Sequence, residues 1–77
     1  MNRHYETYDS AIYPVRVIRT AIRYYASVCG IECQVHGDKA VCYFMVEDAY
    51  AEQVIHEFGN FLIELMQREG KVINDHT

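Results

Sequence analysis

Apolar residues recur along this chain in two periods, and the switches between them mark out five elements. Val15, Ile18, Ala21, Ile22, Tyr25, Val28 and Cys29 follow a 3.6-residue spacing, the buried stripe of an amphipathic helix. Pro14 stands where a helix takes its first residue, because its missing N–H would be unpaired there anyway. Gly30 follows the stripe directly, in the place of a left-handed C′ residue, so the pattern predicts a helix over 14–29. A second stripe comprises Ala51, Val54, Ile55, Phe58, Phe61, Leu62, Leu65 and Met66, with Glu52, Gln53, His56, Glu57, Asn60, Glu64 and Gln67 opposite. It predicts a helix over 48–69, opened by the acidic Glu47 and Asp48, with Asp48 as N-cap, and closed by Gly70. Residues 70–77 then form a fraying tail. Gly59, inside this helix, costs up to about 1 kcal/mol against alanine and implies either close packing or a bend.

Between the helices the period falls to two. Ile31–Val35 and Ala40–Val46 flank His36-Gly37-Asp38-Lys39, and a Gly-Asp pair between strand-like runs signals a tight hairpin. The predicted strands are 31–36 and 39–46. A two-residue Gly37-Asp38 loop sets Cys33 opposite Cys42, Ile31 opposite Phe44 and Val35 opposite Ala40, all on the core face. The other face carries Glu32, Gln34 and His36 from the first of these strands and Val41, Tyr43 and Met45 from the second. Arg3–Tyr8, with two tyrosines and a threonine in loose alternation, predicts a further strand over 3–8.

The order strand, helix, strand, strand, helix defines a single α+β domain over 1–77. A right-handed crossover sets the first helix on one sheet face. The third strand is apolar on both faces and belongs in the middle. The expectation is a β-α-β-β-α two-layer sandwich with a three-stranded sheet in the order 1-3-2 and two helices on one face. It resembles a ferredoxin-like fold lacking its last strand, and Lys71-Val72-Ile73 is not expected to supply one. The strand containing Tyr5 is then an open edge, and edges left open accept another strand. The helix-free face carries Val41, Tyr43 and Met45 with nothing to cover them, and such a patch marks a contact site.

Composition narrows the function classes. A chain of 77 residues holds one domain and a marginal core, and domains of that size often add a metal, disulfides or a partner. A net charge of −4 argues against nucleic acid as partner. No stretch approaches the roughly 20 apolar residues that span a bilayer, so no membrane role is expected. The polar start Met1–Glu6 lacks the apolar core of a signal peptide. A cytoplasmic protein with reduced cysteines is expected. Seven tyrosines are many for this length, and tyrosine suits half-exposed contact surfaces.

Candidate chemistry is sparse. Cys29, Cys33, His36 and Cys42 are the residue types zinc prefers, but His36 falls on the opposite face from Cys33 and Cys42. Buried thiols packing as small hydrophobes explain the cysteines better, so neither metal nor other cofactor is expected. His4, His36, His56 and His76 are scattered, and only His56, with Glu52 or Asn60 one helical turn away, has a regular pairing. Arg16, Arg19 and Arg23 form a basic stripe that suits an anion or acidic partner, or surface pairing with the glutamates of the second helix, the favoured reading. Tyr24 sits on the shoulder of the first helix's apolar stripe, as a contact residue. No phosphate-loop, zinc-protease or nucleophile-elbow motif occurs, so no catalytic residues and no enzyme are expected.

Two segments carry a family resemblance. Tyr13-Pro14-Val15-Arg16-Val17-Ile18-Arg19-Thr20-Ala21-Ile22-Arg23-Tyr24 resembles the opening helix, and Glu57-Phe58-Gly59-Asn60-Phe61-Leu62-Ile63-Glu64 the closing helix, of the D-type accessory proteins of the His-Xaa-Ser system. These are encoded beside radical SAM proteins thought to modify a repeat peptide. The resemblance implies a non-enzymatic helper in peptide maturation, with Tyr13, Tyr24 and Asn60 as the shared special positions. The residues therefore support a peptide- or protein-binding accessory module built on Tyr5, Tyr24, Val41, Tyr43 and Met45. The alternatives are a homodimer using the helix-free face, and a small metal- or anion-binding regulator.

Overall fold

A computed structural model describes the backbone of residues 4–74 and the side chains of residues 4–68. The elements are β1 (His4–Asp9), α1 (Val15–Tyr25), β2 (Gly30–His36), β3 (Lys39–Met45) and α2 (Asp48–Asn74). The sheet is antiparallel in the order β1-β3-β2. Its core face presents Tyr8, Ile31, Ala40, Cys42 and Phe44 to Val17, Ile18 and Ala21 of α1 and to Val54, Phe58 and Leu62 of α2. Both helices therefore cover the same face, the layout of a ferredoxin-like sandwich without its last strand.

The hairpin has the expected register, with Cys33 opposite Cys42 and Ile31 opposite Phe44. Gly37 takes φ 61°, the first loop position of a two-residue turn that favours glycine. Burial along β3 alternates fully and half-buried from Ala40 to Phe44, as a central strand requires. Val35 shares the core face but lies beyond the reach of the helices and is exposed.

Helix ends differ from the sequence reading. Pro14 is the N-cap rather than the first helical residue, its carbonyl accepting the N–H groups of Val17 and Ile18 at 2.9 and 3.2 Å. α1 stops at Tyr25, not at 29, and Ala26–Val28 form a turn closed by the Val28 and Cys29 N–H groups donating to the Tyr25 carbonyl. Gly30 is consequently no C′ residue: it opens β2 opposite Met45. Leaving the helix early turns Val28 out to 61% exposure, while Val17, absent from the expected stripe, is fully buried. Asp48 is the first residue of α2 rather than the cap before it. α2 also runs through Gly70 to Asn74, so 70–74 continue the helix instead of starting a tail. A single glycine costs a helix only about 1 kcal/mol and need not end it. Lys71–Ile73 are helical and add no strand. Arg3, expected in the first strand, and residues 75–77 of the expected tail lie outside the described residues.

The candidate site: an open strand edge beside a groove

Along β1 the side chains alternate between layers. Tyr8 enters the core, whereas Tyr5 faces the helix-free side, its ring centroid 6.1 Å from that of Tyr43. The register brings Tyr5, Val41, Tyr43 and Met45 to one face, and Tyr5 and Met45 are 61% and 53% exposed. Val41 and Tyr43 are half-buried, and a hollow beside Met45 is shared with Glu32 and Gln34. Tyr24 does not join this face. It packs edge-on against Phe61 at 5.5 Å, on the helix layer.

Backbone polarity alternates as well. In an antiparallel pair, successive residues point their N–H and C=O groups alternately toward and away from the partner strand. The Ser10 N–H donates to the Asp38 carbonyl at 2.9 Å, which sets the phase: His4, Glu6 and Tyr8 face β3, and Tyr5, Thr7 and Asp9 face outward. The turn after β1 occupies the Asp9 carbonyl, which accepts the N–H groups of Ile12 and Tyr13 at 3.0 and 2.8 Å. The outward N–H of Thr7 donates to the carboxylate of the adjacent Glu6 at 3.3 Å. A side chain thus occupies the place a neighbouring strand's carbonyl would take.

This edge borders a groove of about 840 Å³ between β1 and α2. Because α2 runs parallel to β1, their ends match: Asp48 accepts a 2.6 Å hydrogen bond from His4 Nε2 at one end, and Tyr8 lies near Phe58 and Tyr13 at the other. Glu6, Asp48 and Glu52 contribute carboxylates to the lining, and Ala51, Ile55, Gly59 and Ile63 contribute apolar surface. A Cβ built on Gly59 would meet nothing within 4 Å, so this glycine permits no close packing but leaves the groove wall open. Tyr8 is 6% exposed, and its hydroxyl has no hydrogen-bond partner among the described residues. Burial pushes its phenol far above the ordinary range, with the nearby Cys42, Glu6 and Tyr13 adding to the rise.

Sequence reasoning missed the groove. Its β1 side was read as a sheet edge, and Glu52, His56 and Asn60 as a solvated helix face. Two of the three positions marked by the family resemblance meet there: Tyr13 packs edge-on against Tyr8 at 5.3 Å, and Asn60 lies 3.3 Å from the His56 ring. The usable signal was the Ile55, Gly59, Ile63 spacing, which starts at a stripe residue and extends the apolar surface past the stripe's edge.

The remaining candidates stay apart. Cys42 is buried against Cys33, and burial followed by that neighbour pushes its thiol up to about 12. Burial also raises the Cys29 thiol. His36 lies on the other sheet face, 3.3 Å from Gln34 Oε1. No group of three or more His, Cys, Asp or Glu among the described residues is placed to hold a metal ion. Arg23 donates to Thr20 on its own helix, and aromatic contacts of Tyr24 and Tyr25 with Phe58 and Phe61 join the two helices. His76 lies outside the described residues. No described helix is long and apolar enough to cross a membrane.

Comparison with known proteins finds no family model, no curated protein and no solved structure that matches this chain.

Proposed function

We infer that the chain is a non-enzymatic binding module for a peptide or protein segment. The observation that carries this reading is the Thr7 N–H, turned away from the sheet and, among the described residues, held by the carboxylate next to it in sequence. An edge in that condition takes up an extended segment by completing the ladder, with affinity from main-chain hydrogen bonds and selectivity from side-chain pockets. Assistance in the maturation of a modified repeat peptide, in a cytoplasmic setting, is the narrower form of the proposal. It rests on the resemblance of the two helices.

Selection from a displayed library of short random peptides tests the reading. Enriched peptides should shift backbone amide resonances on the uncovered sides of the sheet. Repeated selection without enrichment contradicts the proposal.

A homodimer is the second reading, favoured by the exposed Tyr5 and Met45 on the helix-free face. Sedimentation over a range of concentrations decides it, and a clean monomer at high micromolar concentration removes it.

A further inference from the structure

The groove beside β1 selects for a particular chemistry. An added strand that satisfies both open residues of the edge, Tyr5 and Thr7, forms up to four main-chain hydrogen bonds. Its side chains then alternate, and every second one points to the helix side, into the groove between β1 and α2. The middle groove position lies beside Glu6, in a wall that also carries Glu52. The position two residues toward the Tyr8 end meets Gly59, Ile63 and Tyr13.

A second copy of this chain is a poor occupant. Antiparallel pairing of two β1 edges through both Tyr5 and Thr7 places Glu6 directly opposite its counterpart, and like charges facing across strands are destabilising. Each copy also adds to a net charge of −4. Charge complementarity favours a cationic segment instead.

Building on the peptide-binding reading above, we propose that the ligand is an extended basic–apolar peptide, added as a fourth strand to the β1 edge. A lysine or arginine lies beside Glu6 and Glu52, and an apolar side chain two residues away fills the space over Gly59 and Ile63. On binding, the Glu6 carboxylate exchanges the Thr7 N–H for the peptide's cation, and the peptide carbonyl takes its place on that N–H. One carboxylate thus caps the empty edge and recognises the occupant. A charged contact of this kind weakens as salt rises.

The test uses peptides enriched from the random library on the intact chain. They should share a lysine or arginine with an apolar residue two positions away. Their binding should protect the Tyr5 and Thr7 amides from hydrogen exchange. N-methylation of the peptide amides that face β1 should abolish binding, while methylation of the alternate amides leaves it intact. Glu6→Gln with Glu52→Gln should weaken binding about tenfold and flatten its salt dependence. Thr7→Pro removes the outward donor at an edge position where proline is tolerated, and should lose binding while keeping the folded spectrum. Should that variant unfold, the methylated peptides still decide, since they leave the protein unaltered. Enriched peptides that shift Val41, Tyr43 and Met45 while leaving Thr7 unprotected overturn this proposal but not the peptide-binding reading. Enriched peptides without a basic residue overturn the charge selection, and failure to enrich any peptide overturns both readings.

Discussion

The rings of Phe44 and Phe58 meet edge to face, with centroids 5.3 Å apart and planes at 82°. Phe44 lies on the central strand and Phe58 on α2, where it is fully buried. Phe58 also takes the Tyr25 ring of α1 at 5.4 Å and the Tyr8 ring of β1 at 6.3 Å. One side chain therefore joins α2 to β3, to β1 and to α1. Phe58→Ala should cost about 3–5 kcal/mol, a large share of the roughly 5–15 kcal/mol that holds a typical domain folded. Phe58→Leu should cost less. Urea denaturation followed by circular dichroism measures both, and an unchanged midpoint for Phe58→Ala would refute this role.

The buried thiol and phenol predict loss of stability at alkaline pH. Cys42 rises from an ordinary 9.0 to about 12, and Tyr8 rises from 10.0, both through burial first. Each folded group holds its proton more tightly than its unfolded counterpart. Their stabilising contribution is therefore complete below about pH 9 and is lost as pH climbs toward 12. Cys42→Ala should reduce stability at neutral pH through lost packing, yet make the alkaline decline shallower. Denaturation midpoints across that range show whether the slope changes.

Asp9 acts in the opposite direction. The Ala11 N–H donates to its carboxylate at 2.9 Å, and together with Lys39 this holds the acid below its ordinary 3.8. Its contribution is present above that value and disappears as pH falls through the depressed one. Asp9→Asn should therefore lessen the dependence of stability on pH in acid and leave the alkaline limb untouched.

Two glycines should respond to alanine with opposite signs. Gly37 has φ 61°, where a Cβ is strained, so Gly37→Ala should destabilise the hairpin by about 1–2 kcal/mol. Gly59 is helical with open space around its missing Cβ, so Gly59→Ala should stabilise by about 0.5–1 kcal/mol. The added methyl narrows the groove, so peptide affinity should fall as thermal stability rises. Equal or tighter peptide binding by Gly59→Ala would place the ligand elsewhere.

Local patterns carried most of the fold. The hairpin register was legible because a two-residue loop fixes which residues face each other, and alternation then assigns Ile31, Cys33, Ala40, Cys42 and Phe44 to one side. The α2 stripe was legible because burial at Ala51, Val54, Phe58 and Leu62 follows helical spacing directly. The helix ends were not. Gly30 has the local preference of a helix stop, but pairing with Met45 places it in a strand, and tertiary pairing outweighs a preference of about 1 kcal/mol.

The open β1 edge itself followed from strand order, since a central β3 leaves β1 on the outside. The five elements, the hairpin register and the strand with two apolar faces were readable from residue order, because each depends on neighbours close along the chain. Packing in three dimensions was needed to set Glu52, Gly59 and Ile63 along a groove beside Glu6 and Thr7. Those residues are brought together by α2 lying parallel to β1, fastened by a contact between His4 and Asp48, 44 positions apart, a relationship that no local periodicity encodes.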